Sequence, residues 1–175
     1  RPLIDGIKAE RRLLEPLRAR ADRVIDTAAL APHQLKRLVQ DDFALDAPAG
    51  LALSIISFAY RNGLPREADL VFDVRFLSNP HYRPDLKPMT GKDADVARFV
   101  ERDPGFHAFF EGLSDMIVAL LPRFEAEGKS YLTVAIGCTG GRHRSVFVAE
   151  RLAERLSRGG RRINLVHRDL DRSFA

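Results

Sequence analysis

The sequence predicts an α/β fold in which a mixed, largely parallel sheet is flanked by helices. Apolar runs of strand length occur at 51–60, 68–76, 130–136 and 163–166. Helical spacing of apolar residues occurs at 94–102, 104–126 and 145–158, and glycine or proline punctuates the boundaries. Strands that alternate with helices in this way typically form parallel sheets, because each helix carries the chain back across the sheet.

The first part of the chain has a different pattern. Residues 3–20 have helical spacing, although Pro16 is expected to bend or end that helix, and shorter patterns predict a strand over 23–26 and a helix over 32–40. Proline and glycine in 46–50 indicate a boundary. We therefore expect two parts, residues 1–46 and 47–175. The chain begins without Met inside a helical pattern, so we expect a piece of a longer protein.

The distribution of charge and the cysteine content limit which partners and which cellular environment we expect for the protein. The net charge is +4, and residues 137–175 carry nine arginines against four carboxylates, which points to an anionic partner for this end. Cys138 is the only cysteine, so no intrachain disulfide can form, and a reducing cytoplasm suits the protein. We find no signal peptide, membrane-spanning segment, metal-ligand spacing or P-loop motif.

The densest cluster of polar residues follows the strand at 130–136, in the sequence Gly137-Cys138-Thr139-Gly140-Gly141-Arg142-His143-Arg144-Ser145. A strand, a glycine-containing loop and a helix N-terminus together present backbone N–H groups to an anion. Arg142, His143 and Arg144 add donors that suit phosphate. This predicts a phosphate or phosphosugar pocket; the alternative is a tight turn that needs glycine for its backbone alone.

The same loop fits the spacing of cysteine-dependent phosphatases, in which five residues separate the nucleophilic cysteine from an arginine. Cys138 and Arg144 have this spacing, and Gly141 lies three residues after the cysteine. Gly137 stands where such enzymes usually place His or Val, and the chain has no Trp for the usual acid loop. We therefore keep this as the alternative function and interpret Cys138 as a small, half-buried residue at the end of the strand.

A second polar cluster follows the strand predicted over 68–76. Asp73 and Arg75 lie two residues apart on one face, opposite an apolar face formed by Leu70, Phe72, Val74 and Phe76. Asn79 and His81 begin a proline-rich segment over 77–92, which we call the Pro-rich loop. Polar groups at the carboxyl ends of parallel strands are placed for ligand binding. An ion pair followed by an Asn-Pro turn explains the pattern equally well.

The basic C-terminal end supplies candidates for contact with nucleic acid. These are Arg142, Arg161, Arg162, Arg168 and Arg172. Phe174 is the only aromatic residue near them, so recognition of the phosphate backbone or of RNA shape is expected rather than base stacking.

Several long segments resemble one family. They are Gly63–Leu77, Asn79-Pro80-His81-Tyr82, Thr90-Gly91, Gly128–Leu132, Ile136–Ser145 and His167-Arg168-Asp169. Together they resemble the C-terminal domain of the RapZ/YvcJ nucleotide-binding family. Residues 1–46 are similar to the tail of that family's N-terminal kinase-like domain. Arg142 stands where we expect Gln in this family, and the chain lacks its Lys/Arg-rich C-terminal end.

The resemblance implies a domain similar to the sugar-phosphate-binding subdomain of phosphofructokinase. It implies a ligand such as glucosamine-6-phosphate, contacts with small regulatory RNA and an endoribonuclease, and a homo-oligomer. Carried over by motif, the ligand-binding residues are Asp73, His81, Thr139, Gly140, Gly141, His143 and Arg144. ATP or GTP with magnesium is expected in a P-loop domain upstream, so this chain itself is expected to be non-catalytic and without a cofactor.

Overall fold

The computed structural model describes residues 3–21, 24–28, 30–32, 35, 39, 51–158 and 160–170. The chain divides into two compact units, Arg1–Pro48 and Ala49–Ala175. No helix among the described residues is long and apolar enough to cross a membrane.

The first unit contains one long helix, α1 (Leu3–Arg20), whose described side chains are all exposed. The helix does not end at Pro16, because that residue removes only the hydrogen bond it would donate to the Arg12 carbonyl. Val24–Asp26 are not a strand, which corrects the prediction for 23–26, and Arg23 lies outside the described residues. Of the helix predicted over 32–40, only Pro32, Leu35 and Val39 are described, and each is helical. The boundary predicted over 46–50 also lies outside the described residues.

The second unit is an α/β structure with a four-stranded, all-parallel sheet. Its elements in chain order are β1 (Ala52–Ala59), β2 (Leu70–Asp73), α2 (Ala94–Glu101), α3 (Phe106–Ala126), β3 (Tyr131–Cys138), α4 (Arg144–Ser157) and β4 (Ile163–His167). The strand order is β2-β3-β1-β4, and every pair is parallel. This confirms the predicted fold class.

The sequence of each strand matches its place in the sheet. The central strands β1 and β3 are buried almost continuously towards their carboxyl ends, as expected where both faces of a parallel strand are covered. The edge strands β2 and β4 alternate between half-buried and exposed residues. The carboxyl ends of β1, β2 and β3 coincide, because Cys138 pairs with Ala59 and Gly137 pairs with Asp73.

Strand β2 is shorter than the strand predicted over 68–76. The Asp73 carboxylate accepts a hydrogen bond from the backbone N–H of Arg75 at 2.9 Å, and the N–H of Leu77 donates to the Val74 carbonyl. These turn contacts end the strand, so Phe76 is exposed rather than aligned with Leu70 and Phe72.

The core lies between the sheet and helices α2, α3 and α4. The buried face of α4 includes Val146, Ala149, Leu152 and Leu156, as its spacing predicts. Phe106 of α3 packs against Phe147 of α4, with their ring centroids 5.2 Å apart. This packing fixes the N-terminus of α4 beside the carboxyl end of β3, where the candidate site lies.

Candidate functional site

A pocket of about 900 Å³ opens at the carboxyl edge of the sheet, between the end of β3, the N-terminus of α4 and the Pro-rich loop. Its lining residues are Arg61, Asn79, His81, Tyr82, Pro84, Lys87, Pro88, Cys138, Thr139, Gly140, Arg142, His143 and Arg144. This volume lies in the range typical of small-molecule sites.

Residues 139–143, here called the anion loop, carry backbone amides that are free to bind a ligand. The N–H groups of Thr139, Gly140, Arg142 and His143 donate to no acceptor among the residues that the structure describes. Gly141 allows the turn because its φ of 68° lies in the left-handed region. Helix α4 begins directly after the loop and adds first-turn amides without partners inside the helix.

Arg144 brings a buried positive charge to the same place. Arg144 is only 5% exposed, and its Nη1 donates to the backbone carbonyls of Arg75 at 2.6 Å and Leu77 at 3.0 Å. Nη2 lies 3.5 Å from the Thr139 hydroxyl. No carboxylate forms a direct ion pair with Arg144 within the described part of the chain, although the charge of Arg144 helps to lower the pKa of the nearby Asp73.

His143 is a buried titratable group of the pocket wall. It is 7% exposed, and Nε2 has no hydrogen-bond partner among the described residues. Burial lowers the pKa of His143, and the positive charges of Arg142 and His81 act in the same direction. The carbonyls of Lys87 and Met89 oppose this shift only in part. The imidazole is therefore neutral at pH 7 in the unliganded protein.

Arg142 connects the anion loop to the Pro-rich loop. Its Nε donates to the Met89 carbonyl at 2.9 Å, and its Nη2 donates to the Pro88 carbonyl at 2.5 Å. In return, the Gly91 N–H donates to the Arg142 carbonyl at 2.9 Å. The side chain thus holds one wall of the pocket in place.

Cys138 lies where β3 meets the anion loop. It is 3% exposed, so it is buried rather than half-buried as predicted. The Gly141 N–H donates to its sulfur at 3.3 Å, and the Ser145 hydroxyl lies 3.1 Å from the same atom.

Comparison with known proteins places the chain in a family. Residues 51–171 match the family model of the RapZ C-terminal domain, and residues 2–47 match that of the RapZ-like N-terminal domain. The chain belongs to the RapZ family.

Relatives of this RapZ-family chain carry the name nucleotide-binding protein. One from Paramagnetospirillum magneticum is 58% identical over 98% of this chain and 56% of its own length. Others, from Rhodospirillum rubrum and an Anaeromyxobacter species, are 55% and 52% identical over 97% and 96% of this chain, and over 53% and 57% of their own lengths. The chain thus spans about half the length of these relatives.

The structure brings most of the predicted ligand residues of this RapZ-family domain together. His81, Thr139, Gly140, His143 and Arg144 line one pocket. Gly141 lies behind it, where an added Cβ would be 3.0 Å from the Ala59 Cβ and 3.1 Å from the Asp169 Cβ.

Asp73 is near the pocket but does not line it. Its carboxylate forms an exposed ion pair with Arg75 at 2.6 Å, and the Arg75 guanidinium stacks 4.2 Å from the centre of the Tyr60 ring. The hydrogen bond from Arg75 holds the pKa of Asp73 below its usual value, and Arg144 adds a smaller effect of the same sign. The Asp73–Arg75 ion pair, which the sequence analysis gave as the alternative to a ligand-binding role, is therefore present.

The predicted RNA-contacting arginines do not form one surface. Arg161 lies near the start of β1, where it donates to the Leu51 carbonyl and pairs with Glu125. Arg168 lies near the end of β1, where it donates to the Ala59 carbonyl and pairs with Asp169. Leu51 and Ala59 are eight residue steps apart along this extended segment, which corresponds to about 25 Å. Arg162 is exposed beside Arg161, and Arg172 lies outside the described residues.

Sequence reasoning missed several residues that build the site. Arg61, Tyr82 and Lys87 line the pocket. Asp169, 3% exposed, accepts hydrogen bonds from the Ala59 N–H at 2.8 Å and from Asn62 at 2.9 Å. The length and proline content of the Pro-rich loop were a usable signal for Tyr82 and Lys87, but no local pattern indicates the position of Asp169.

Proposed function

We propose that this chain is the regulatory ligand-binding module of a RapZ-type NTPase and that its pocket binds phosphate or a phosphosugar such as glucosamine-6-phosphate. The observation that carries the proposal is a buried arginine without a direct ion pair, beside loop amides for which the described residues supply no acceptor. An isolated buried charge is costly, and a bound anion would compensate it.

The phosphate end of the ligand fits the anion loop. Backbone N–H groups and the first turn of α4 would hold the oxygens, and the remaining donors of Arg144 would add charge-assisted hydrogen bonds. His143 would supply a partner through its buried Nε2.

The sugar end fits the opposite wall of the pocket. His81, Asn79 and Tyr82 are polar or amphipathic residues on the short turn Pro80–Tyr82 and beside it. They would donate to and accept from sugar hydroxyls. Asp73 would attract an amine on the ligand only when Arg75 turns away from it.

We place nucleotide binding, which the relatives' names state for those proteins, in the RapZ-like N-terminal domain rather than in this pocket. RNA is a less favoured partner for this unit. Among its candidate arginines, Arg142, Arg161 and Arg168 are engaged in intramolecular hydrogen bonds.

Calorimetry with glucosamine-6-phosphate and with inorganic phosphate tests the proposal. Arg144→Ala should weaken binding about 10- to 100-fold, because charge-assisted hydrogen bonds contribute about 1.5–3 kcal/mol. Arg155→Ala is the matched control, since Arg155 lies on the same helix in an exposed ion pair with Glu111. Thermal unfolding of both variants separates loss of binding from loss of fold. No measurable binding to the wild-type chain, or equal binding by a folded Arg144→Ala variant, would refute the pocket.

A further inference from the structure

We propose that Cys138 accepts a phosphoryl group from phosphate monoesters bound in the pocket and that His81 protonates the departing oxygen. The proposal rests on the proposed function, since the anion loop must first hold the phosphate. It adds a hydrolytic activity to a site otherwise assigned to binding.

The Cys138 sulfur, in a residue that is only 3% exposed, lies beside two hydrogen-bonding groups at the N-terminus of α4. The Gly141 N–H donates to Sγ at 3.3 Å, and the Ser145 hydroxyl at 3.1 Å is able to donate to it as well. The N-terminus of the 14-residue helix α4 adds a favourable electrostatic potential at the same end of the loop. The thiolate is the nucleophilic form of cysteine.

Two independent features of the pocket indicate an anionic substrate beside this sulfur. His143 is more than nine-tenths buried and lines the pocket, yet its Nε2 has no partner among the described residues. Arg144 is buried in the same wall, and the part of the chain that the structure describes supplies it with neutral acceptors only.

The residue before the cysteine is not an obstacle to this chemistry. At Gly137 an added Cβ would lie 2.5 Å from both the Phe58 and the Tyr60 rings, so packing explains the glycine. Because the chain has no Trp-containing acid loop, another residue must donate the proton to the leaving group. His81 meets that need, because it is exposed, lines the pocket and lies close enough for its charge to lower the pKa of His143.

The reaction would take two displacements at phosphorus. In the first, the Cys138 thiolate forms an S–P bond, the ester P–O bond breaks, and the leaving alkoxide takes a proton from the His81 imidazolium. In the second, neutral His81 removes a proton from water, the water oxygen forms a P–O bond, and the S–P bond breaks. The products are an alcohol and inorganic phosphate, and both Cys138 and His81 return to their starting states.

The test measures phosphate release from para-nitrophenyl phosphate and from glucosamine-6-phosphate by the full chain. Cys138→Ser should reduce turnover about a thousandfold or more while phosphate binding changes little, because the serine keeps the size of the side chain but lacks a nucleophilic thiolate. Rapid denaturation during turnover should trap one phosphoryl group on the protein. A phosphocysteine identified in this way can only be Cys138, because the chain has a single cysteine.

A second variant tests the proton donor. His81→Gln should slow release from glucosamine-6-phosphate, whose alkoxide needs a proton, far more than release from para-nitrophenyl phosphate, whose phenolate leaves readily. Equal slowing of both substrates would remove His81 from this role.

The outcomes separate the two proposals. Phosphate binding without phosphate release, or release that persists in Cys138→Ser, overturns phosphoryl transfer and leaves the binding function intact. Failure of phosphate to bind the wild-type chain overturns both.

Discussion

The buried imidazole of His143 would couple the proposed anion binding to pH. Its pKa in the unliganded protein is lowered by burial and by the charges of Arg142 and His81. A bound anion favours the protonated form, so binding takes up a proton and strengthens as pH falls.

Sulfate is the probe for this coupling, because its own charge is constant over the range. We expect its affinity to rise as pH is lowered from about 7.5 to about 5.5, and we expect His143→Gln to flatten that rise. Calorimetry in buffers of different ionisation enthalpy would show the proton uptake directly. An unchanged pH profile in the variant would exclude His143 as the coupled group.

His143 also affects stability in the absence of ligand. Because its folded-state pKa is depressed, the unfolded chain takes up a proton at higher pH than the folded chain does. The unliganded protein should therefore lose stability as pH falls below the unfolded value of about 6.5, and His143→Gln should reduce that loss. Urea unfolding at several pH values measures the difference.

The absence of a side chain at Gly91 allows the Pro-rich loop to pack against α4. A Cβ at this position would lie 2.2 Å from the His143 carbonyl oxygen and 2.4 Å from the Phe147 backbone nitrogen, and neither atom can move freely. We expect Gly91→Ala to destabilise the protein by about 3 kcal/mol and to weaken anion binding.

Gly112→Ala provides the matched control in chemical denaturation. Gly112 lies within α3, and nothing lies within 4 Å of its added Cβ. This change should raise stability by about 0.5–1 kcal/mol, because alanine is the better helix former. Equal effects of the two substitutions would contradict the close packing at Gly91.

At the level of secondary structure, the segment after β4 supports the anion loop from behind. Asp169 accepts the Ala59 N–H, and its Cβ is 3.1 Å from the position of a Cβ on Gly141. Burial alone would raise the pKa of Asp169, but hydrogen bonds from Ala59, Arg168 and Asn62 lower it below the usual value.

Asp169 therefore contributes stability that is present above the unfolded pKa of about 3.9 and is lost as pH falls through the folded value. Asp169→Asn should abolish this part of the acid dependence and should also weaken phosphate binding through the displaced loop. Thermal unfolding between about pH 5 and pH 3 would check the first effect. An acid profile identical to that of the wild type would contradict it.

Periodicity predicted most helices and strands because burial dictates the pattern of apolar residues. The exception in the sheet is β2, where alternation continues to Phe76 although the chain already turns after Asp73. The Asp73 side chain accepts a local hydrogen bond that helps to end the strand, and the pattern of apolar residues does not reveal this bond. The prediction of a strand over 23–26 was wrong at the described residues Val24, Ile25 and Asp26, because so short a run of apolar and charged residues does not establish a strand by itself.

The candidate site was predictable only where a motif is continuous in sequence. The anion loop is one run of residues, so Thr139, Gly140, His143 and Arg144 were assigned together, and they lie together. The role of Arg142 could not be predicted, because its partners are backbone carbonyls more than fifty residues away. The same holds for Asp169, whose partners lie about 110 residues earlier in the chain.

At the level of the whole molecule, the pocket and the hydrophobic core found among the described residues lie in the second unit. The lining residues run from Arg61 to Arg144, within Ala49–Ala175. We expect a fragment of residues 49–175 to fold cooperatively and to bind phosphate within about twofold of the full chain's affinity. Circular dichroism and calorimetry of the fragment measure both properties. A fragment that remains unfolded would show that residues 1–48 contribute to the stability of the second unit.

The two bonds from Arg142 to the Pro88 and Met89 carbonyls have a kinetic consequence. They hold the Pro-rich loop against the anion loop, so a ligand bound in the pocket between these two segments would leave more slowly while both hydrogen bonds are formed. A glutamine at this position, too short to reach both carbonyls, would let the ligand exchange faster even where its equilibrium affinity is preserved.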